Sequence, residues 1–191
     1  MESANSSRAW VGVVCQTHVE RGVDGGFAQL CHGRAQPLRR MQPGDWLVYY
    51  SPGVSMRAEQ PLRAFTALGR IADAEVVRFD MGGGFVPFRR TVRYLPTRLV
   101  PVGPLRRRLA FVRDNPNWGW LARRGHFEID LADLAILADA MLLHAADRWA
   151  CARELQRIEP LAAPDETGPS AGWNDHIVRA ARAASGPERR R

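Results

Sequence analysis

The chain has 191 residues, enough for one domain with a sizeable core, and its 46% hydrophobic and 25% charged residues exclude wholesale disorder. Its net charge of +7 is the balance of 27 arginines against 20 acidic residues, since the sequence has no lysine. The polar residues 1–7 and the short apolar runs argue against a secretory signal or a membrane span. The three scattered cysteines argue against a disulfide framework, so we expect a cytoplasmic protein.

The first part of the chain predicts short strands separated by turns. Residues 9–15 (AWVGVVC) and 45–50 (DWLVYY) are β-branched or aromatic runs typical of buried strands. Between them, Thr17 is expected to cap a short helical turn through Arg21, and residues 37–44 to form a connector ending in a turn. Further strands are predicted at residues 27–30, 63–71, 75–80, 85–95 and 98–102.

The last third of the chain predicts helices. The clearest element is a single long helix over residues 130–158, capped by Asp130, with Asp133 complementing its N-terminal dipole. Residues 159–191 predict a linker, a short helix at 173–184 and a frayed basic tail, and residues 1–8 predict a disordered start. Before the long helix we expect helical turns at 105–111, a turn at 115–119 and a strand at 127–129.

Together these elements predict an α+β domain over residues 9–158, with a mostly antiparallel, barrel-like sheet and one terminal packing helix. An ordered series of short motifs between Arg8 and Leu143 resembles the EVE-domain family of the PUA-like superfamily, which is related to YTH domains. The motifs are residues 25–33 (GGFAQLCHG), 37–38, 41, 44–46, 49–52 (YYSP), 61–62, 64–67, 87–90, 111–112 and 117–119 (NWG).

The resemblance implies a mixed β-barrel with flanking short helices, a long C-terminal helix and a pocket at one end. It also implies a binding module, because YTH relatives read N6-methyladenine in RNA and EVE relatives are implicated in recognising modified DNA bases. We therefore expect a non-enzymatic module that holds a nucleobase, in particular a modified one, in an aromatic pocket. Both RNA and DNA are compatible partners.

A base reader needs flat surfaces for stacking, polar groups for the edge of the base, and cations for the phosphates. Residues 34–124 contain 17 arginines and six acidic residues, a distribution that predicts one electropositive face. The candidate ligand-binding residues are Trp10, Gln29, His32, Gly33, Trp46, Tyr50, Ser51, Pro52, Phe88, Asn117 and Trp118. The candidate phosphate contacts are Arg39, Arg40, Arg89, Arg90, Arg123 and Arg124.

Strand alternation limits this set. Trp46 and Tyr50 point to the same face of their strand and Tyr49 to the other, so at least one of these rings belongs to the core. Arg89 and Arg90 also alternate, so that only one of them lines a given groove. The run of arginines at 106–108 is more typical of a solvated helical face than of a phosphate clamp.

Other chemistries find little support. Cys15, His18, Cys31 and His32 lack the spacing of a closed zinc site, and adjacent side chains on a strand diverge. The same divergence argues against Cys31 as a nucleophile, so we expect no metal, no cofactor and no catalytic residue. Two alternatives stay open. The pocket could take a free nucleoside, nucleotide or other metabolite, or the chain could be an accessory module that binds proteins through its terminal helix and tail.

Overall fold

The computed structural model describes residues 7–57 and 61–158, which form a mixed α+β domain around one curled, eight-stranded sheet. The strands are β1 (Ala9–Val13), β2 (Phe27–Ala28), β3 (Trp46–Gly53), β4 (Pro61–Ile71), β5 (Val77–Arg78), β6 (Phe88–Tyr94), β7 (Val100–Pro101) and β8 (His126–Ile129). The helices are α1 (Gln16–Gly25), α2 (Ala35–Arg40), α3 (Val102–Leu105), α4 (Ala110–Arg113), α5 (Trp118–Arg123), α6 (Leu131–Met141) and α7 (Ala145–Ile158). The predicted linker, short helix and basic tail lie outside the described residues.

One parallel pair of strands organises the sheet. The strand order is β2-β6-β4-β3-β1-β8, with β5 beside β6 and β7 beside β4. β1 and β3 run parallel, and the other named pairs are antiparallel, as the sequence predicts. The carboxyl ends of β1 and β3 therefore meet at one edge of the sheet, beside the start of β4. The crossover that parallel pairing requires is supplied by residues 14–45, which include α1 and α2.

Alternation along β3 divides the core between the two faces of the sheet. As predicted, Trp46 and Tyr50 share one face, and Tyr49 points to the other. On the first face, buried residues of α6 such as Leu134 and Leu137 complete the larger cluster. On the second face, the smaller cluster includes Trp10, Leu30, Leu38, Met41 and Leu47.

The predicted single helix over residues 130–158 is wrong, because α6 ends at Met141 and α7 begins at Ala145. The chain is extended at Leu142, which forms a β-bridge with Thr97. Neighbouring backbone groups pair with the same distant segment, since Arg98 N–H donates to the Met141 carbonyl at 2.9 Å and Leu143 N–H to the Pro96 carbonyl at 3.1 Å. These long-range hydrogen bonds end the helix although its apolar pattern continues.

The two aspartates at the start of α6 act differently from one another. Asp130 occupies the N-cap position, but its side chain makes no capping hydrogen bond. Asp133 lies in the first turn of α6 and is 2% exposed. Its carboxylate accepts hydrogen bonds from the backbone N–H groups of Ala110 (2.7 Å) and Phe111 (3.0 Å), so it also caps α4.

Two further local predictions need correction. The expected connector at residues 37–44 contains most of α2, whose closing carbonyl groups are bound by the distant Arg90. The short turn expected to start at Thr17 is a ten-residue helix whose N-cap is Cys15, and Gly26 ends it with φ +65°. Glycine adopts this left-handed conformation without steric cost.

Candidate ligand-binding cavity

A cavity of about 540 Å³ opens at the sheet edge where β1 and β3 end. Its volume lies within the ~300–1,000 Å³ typical of small-ligand sites. The parallel pairing brings Val13 and Tyr50 to this edge, and α3 and α5 close it from the side. The lining residues are Val13, Tyr50, Pro52, Arg63, Val102, Arg106, Trp118, Gly119, Ala122 and Arg123.

Two aromatic rings form one wall of the cavity. The rings of Tyr50 and Trp118 meet edge to face, with centroids 5.2 Å apart and planes inclined by 73°. The ring centroid of Phe65, in the core, lies 5.6 Å from that of Tyr50, and the ring centroid of Phe111 lies 6.2 Å from that of Trp118. Such contacts fix the orientation of both rings before any ligand binds. Burial raises the pKa of the Tyr50 phenol, with Arg63 opposing the shift, so the hydroxyl is a neutral group at neutral pH.

Three arginines from different parts of the chain surround the aromatic wall. Arg63 belongs to β4, Arg106 follows α3, and Arg123 ends α5. None of the described residues that line the cavity carries a carboxylate. Because a concave site focuses the field of like charges, this arrangement favours an anionic ligand. Guanidinium groups also match the geometry of phosphate oxygens.

The position of Arg63 depends on an irregularity in the sheet. The register between β3 and β4 shifts between Ser51 and Gly53, and Arg63 lies opposite this shift with φ +49°. A bulge of this kind re-aims a side chain that regular alternation would place elsewhere. A non-glycine residue with positive φ is strained, and such strain is concentrated at ligand sites.

Four of the candidate residues come together at this cavity, namely Tyr50, Pro52, Trp118 and Arg123. Asn117 is exposed and lies next to them at the N-cap of α5. Its backbone N–H is held by the side chain of Asn115 at 3.1 Å, which sets the turn that precedes Trp118.

Three other candidates are buried in the core and do not line the cavity. Trp10 is 0% exposed, donates its indole N–H to Asp45 at 2.9 Å and stacks on His126 at 4.6 Å. Trp46 is 3% exposed and lies beneath the guanidinium of Arg70 at 4.2 Å. Ser51 is fully buried and shares a hydrogen bond of 2.8 Å with the hydroxyl of Thr66.

The turn at residues 31–33 has an unusual backbone. Cys31, His32 and Gly33 all have positive φ, at 47°, 58° and 79°. His32 is exposed, whereas Gly33 is buried against Pro87, whose side chain a β-carbon at position 33 would overlap. The Cys31 thiol donates to the Arg124 carbonyl at 3.7 Å, which ties this turn to the end of α5.

Gln29 and Phe88 lie elsewhere on the domain, Gln29 beside Arg89 and Phe88 beneath the guanidinium of Arg39. The Gln29 amide is 5% exposed and accepts a hydrogen bond from Arg89 at 3.1 Å. The Arg89 guanidinium lies over Phe27 at 3.8 Å and over Phe79 at 3.7 Å. Phe88 is partly buried against the smaller core cluster. None of these side chains is among the residues that line the cavity.

The remaining candidate phosphate contacts divide into one structural arginine and three surface arginines. Arg90 is 2% exposed and donates to the carbonyl groups of Leu38 and Met41, each at 2.7 Å, and to that of Asp73 at 3.0 Å. Its hydrogen-bonding capacity is thereby used inside the protein, which corrects its assignment to a phosphate. Arg39, Arg40 and Arg124 are exposed. The guanidinium of Arg39 lies over the ring of Phe88, and that of Arg40 lies over the ring of Trp10.

Arg63 and Arg106 line the cavity but were not among the candidate residues. The arginine run at 106–108 was interpreted as a solvated face, and Arg107 and Arg108 are exposed and absent from the lining. Arg106 differs from them because it directly follows α3, which borders the cavity. The sequence signal that could have pointed to Arg63 is its place directly after the Pro61-Leu62 motif. In the structure this motif begins β4, which pairs with the strand that carries Ser51.

In the part of the chain that the structure describes, no group of three or more histidine, cysteine, aspartate or glutamate residues is arranged to hold a metal ion. Nor does that part contain a helix long and apolar enough to cross a membrane.

The curled mixed sheet with its parallel β1–β3 pair and the flanking helices define an α+β domain of the PUA-like class. A profile of the EVE domain matches residues 8–140, and the chain belongs to the EVE-domain family. The UPF0310 protein YdcG of Bacillus subtilis (strain 168) is 42% identical over 132 residues, which cover 69% of this chain and 90% of that protein. A UPF0310 protein of Streptococcus mutans serotype c is 46% identical over 137 residues, which cover 70% of this chain and 96% of that protein.

The chain also has matches among solved structures, at much lower sequence identity. A hypothetical protein from Leishmania major matches with a TM-score of 0.47 and 9% identity, covering 71% of this chain and 94% of that one. A protein from Pseudomonas putida matches with a TM-score of 0.45 and 16% identity, covering 69% of this chain and 97% of that one.

Proposed function

We propose that this protein is a nucleic-acid-binding module whose cavity holds one nucleobase. The observation that carries the proposal is the composition of the cavity, in which the wall formed by Tyr50 and Trp118 lies beside the arginines 63, 106 and 123. Stacking of a base on an aromatic side chain contributes ~1–3 kcal/mol. The arginines would bind the phosphates next to that base, and binding rather than bond cleavage is then the function.

We further propose that the base carries a modification. Beyond its aromatic and cationic groups, the cavity is lined by the apolar side chains of Val13, Pro52, Val102 and Ala122. A methyl group transferred from water to such a surface contributes ~0.8 kcal/mol. The Tyr50 hydroxyl is a neutral donor or acceptor for the edge of the base, and an edge group that matches it provides discrimination. A base within duplex DNA would have to be flipped out of the stack.

Fluorescence anisotropy with short labelled oligonucleotides tests this function. Single-stranded and duplex DNA and RNA, unmodified or carrying 5-methylcytosine, 5-hydroxymethylcytosine or N6-methyladenine, are titrated at two salt concentrations. We expect Trp118→Ala to weaken binding about 5- to 150-fold without changing the salt dependence. Arg63→Gln and Arg106→Gln should instead reduce the slope of log K against log salt.

Arg107→Gln is the matched control, because Arg107 neighbours Arg106 but does not line the cavity. Binding that is equal for every oligonucleotide, insensitive to Trp118→Ala and abolished by salt would contradict the proposal. Tight binding of free nucleosides with no gain from a phosphate would instead show that the cavity takes a small metabolite.

A further inference from the structure

We propose that the ligand is a strand of at least two nucleotides, because the exposed ring of Trp120 provides a second stacking surface beside the cavity. This inference rests on the proposed function and adds the position of the neighbouring nucleotide. Trp120 is 65% exposed, which is the second-largest exposed fraction among the large apolar side chains that the structure describes. Of the described aromatic side chains it is the most exposed.

Helix geometry places Trp120 directly beyond the rim of the cavity. At about 100° per residue, Trp118, Ala122, Gly119 and Arg123 follow one another around α5 within about 140°. All four line the cavity. Trp120 comes about 60° beyond Arg123, and Leu121 follows on the side that packs on the core. Trp120 therefore lies outside the cavity, next to Arg123 on the solvent side of α5.

Arg123 connects the two stacking positions. Its guanidinium carbon lies 4.5 Å from the centroid of the Trp120 ring, and the same residue lines the cavity. A cation between two stacking surfaces is where the phosphate that links two successive nucleotides would bind. A base in the cavity would then place its neighbour against Trp120. A free nucleoside would make no use of this surface.

An arginine packed on an exposed tryptophan is not by itself a binding site. Trp149 on α7 is 60% exposed and has the Arg153 guanidinium at the same distance of 4.5 Å, yet neither residue lines the cavity. What distinguishes Trp120 is its position on the helix that supplies Trp118, Gly119, Ala122 and Arg123 to the cavity. Trp149 is therefore a matched control for a substitution at Trp120.

The test compares nucleotides of increasing length on the full chain. The probes are the 5′-monophosphates of the ribo- and deoxyribonucleosides, unmodified or carrying the three modifications named above, and the corresponding 5′-phosphorylated dinucleotides. All are titrated by isothermal calorimetry. We expect a dinucleotide to bind about 5- to 150-fold more tightly than its best mononucleotide. Trp120→Ala should abolish this gain and leave mononucleotide affinity unchanged, whereas Trp149→Ala should change neither. Trp118→Ala should weaken both ligands.

The outcomes separate this inference from the function on which it rests. If mononucleotides bind through Trp118 but Trp120→Ala leaves the dinucleotide gain intact, the second stacking surface is refuted and the cavity function stands. If Trp120→Ala weakens mononucleotides as much as dinucleotides, Trp120 supports the cavity and the inference is likewise refuted. If no nucleotide binds the wild-type chain, both proposals fail. In that case the exposed ring is better explained as a surface for a protein partner.

Discussion

His126 makes the stability of this protein depend on pH in a way that can be calculated from its surroundings. The imidazole is 7% exposed and stacks on Trp10 with centroids 4.6 Å apart and planes 11° from parallel. Its Nε2 has no hydrogen-bond partner among the described residues. The pKa of His126 is lowered from 6.5 to about 4, mainly by burial; Arg40 and Arg8 act in the same direction, and Glu128 opposes them.

The sign follows from the proton balance between the folded and unfolded states. Above pH 6.5 the imidazole is neutral in both states, and His126 adds no pH dependence. Between pH 6.5 and about 4 the unfolded chain binds a proton that the folded chain excludes, so the free energy of unfolding falls as the pH falls. Below the folded pKa both states are protonated and the effect levels off.

The size of the effect is the pKa difference multiplied by ~1.4 kcal/mol per unit. For a shift from 6.5 to about 4 this gives a loss of about 3 kcal/mol. Stability in urea would be measured at half-unit steps between pH 7.5 and pH 4 for the wild type and for His126→Phe. Phenylalanine preserves the aromatic contact with Trp10 and does not titrate. The contributions of the other titratable groups cancel in the difference between the two free energies of unfolding.

We expect the wild type to lose about 3 kcal/mol relative to His126→Phe across this window, on the basis of the pKa of about 4. His18→Gln is the control. Burial also lowers the pKa of His18, but this side chain is only half-buried, so its substitution should change the pH dependence less. Two parallel stability curves, or an NMR titration of His126 with a midpoint near 6.5, would refute the reasoning.

Three substitutions test the structural roles of other residues through urea denaturation. Arg90→Met should destabilise the fold by roughly 3–5 kcal/mol, because it leaves three carbonyl groups without their donor. The exposed Arg39→Met is its control, and a loss below 1 kcal/mol for Arg90→Met would contradict the assignment. Asp133→Ala should cost about 1–2 kcal/mol by removing the acceptor for two N–H groups of α4, whereas Asp139→Ala should cost little. Gly33→Ala should cost more than about 2 kcal/mol, since φ is +79° and the new methyl group overlaps Pro87; an unchanged midpoint would mean that the turn relaxes.

The predictions that succeeded rest on patterns that a strand carries within itself. The period of two along residues 45–50 placed Trp46 and Tyr50 on one face and Tyr49 on the other, as the two core clusters confirm. The same pattern could not predict which of the two rings on one face, Trp46 or Tyr50, lines a cavity. Tyr50 reaches the open edge because β3 continues only three residues further, whereas Trp46 lies at the opposite end of the strand.

The predictions that failed involve partners far apart in the chain. The break at residues 142–144 depends on hydrogen bonds from residues 96–98, so the helical period of the local sequence carries no sign of it. The assignment of Arg90 to a phosphate fails because its partners are the carbonyl groups of Leu38 in α2, of the C-cap residue Met41 and of Asp73. Arg63 was missed because its direction is set by an irregular register against β3, not by alternation.

The sheet topology explains why the cavity combines these groups. Parallel pairing of β1 with β3 brings two carboxyl ends to one edge, and antiparallel β4 starts at that edge with Arg63. The antiparallel partner β8 on the other side of β1 starts at the same edge, so α5, which precedes β8, must end there with Arg123. A purely antiparallel meander would separate these ends. The parallel pair of β1 and β3 therefore gathers a tyrosine, a tryptophan and the arginines of separate elements around one cavity, and this convergence favours an aromatic, anionic ligand.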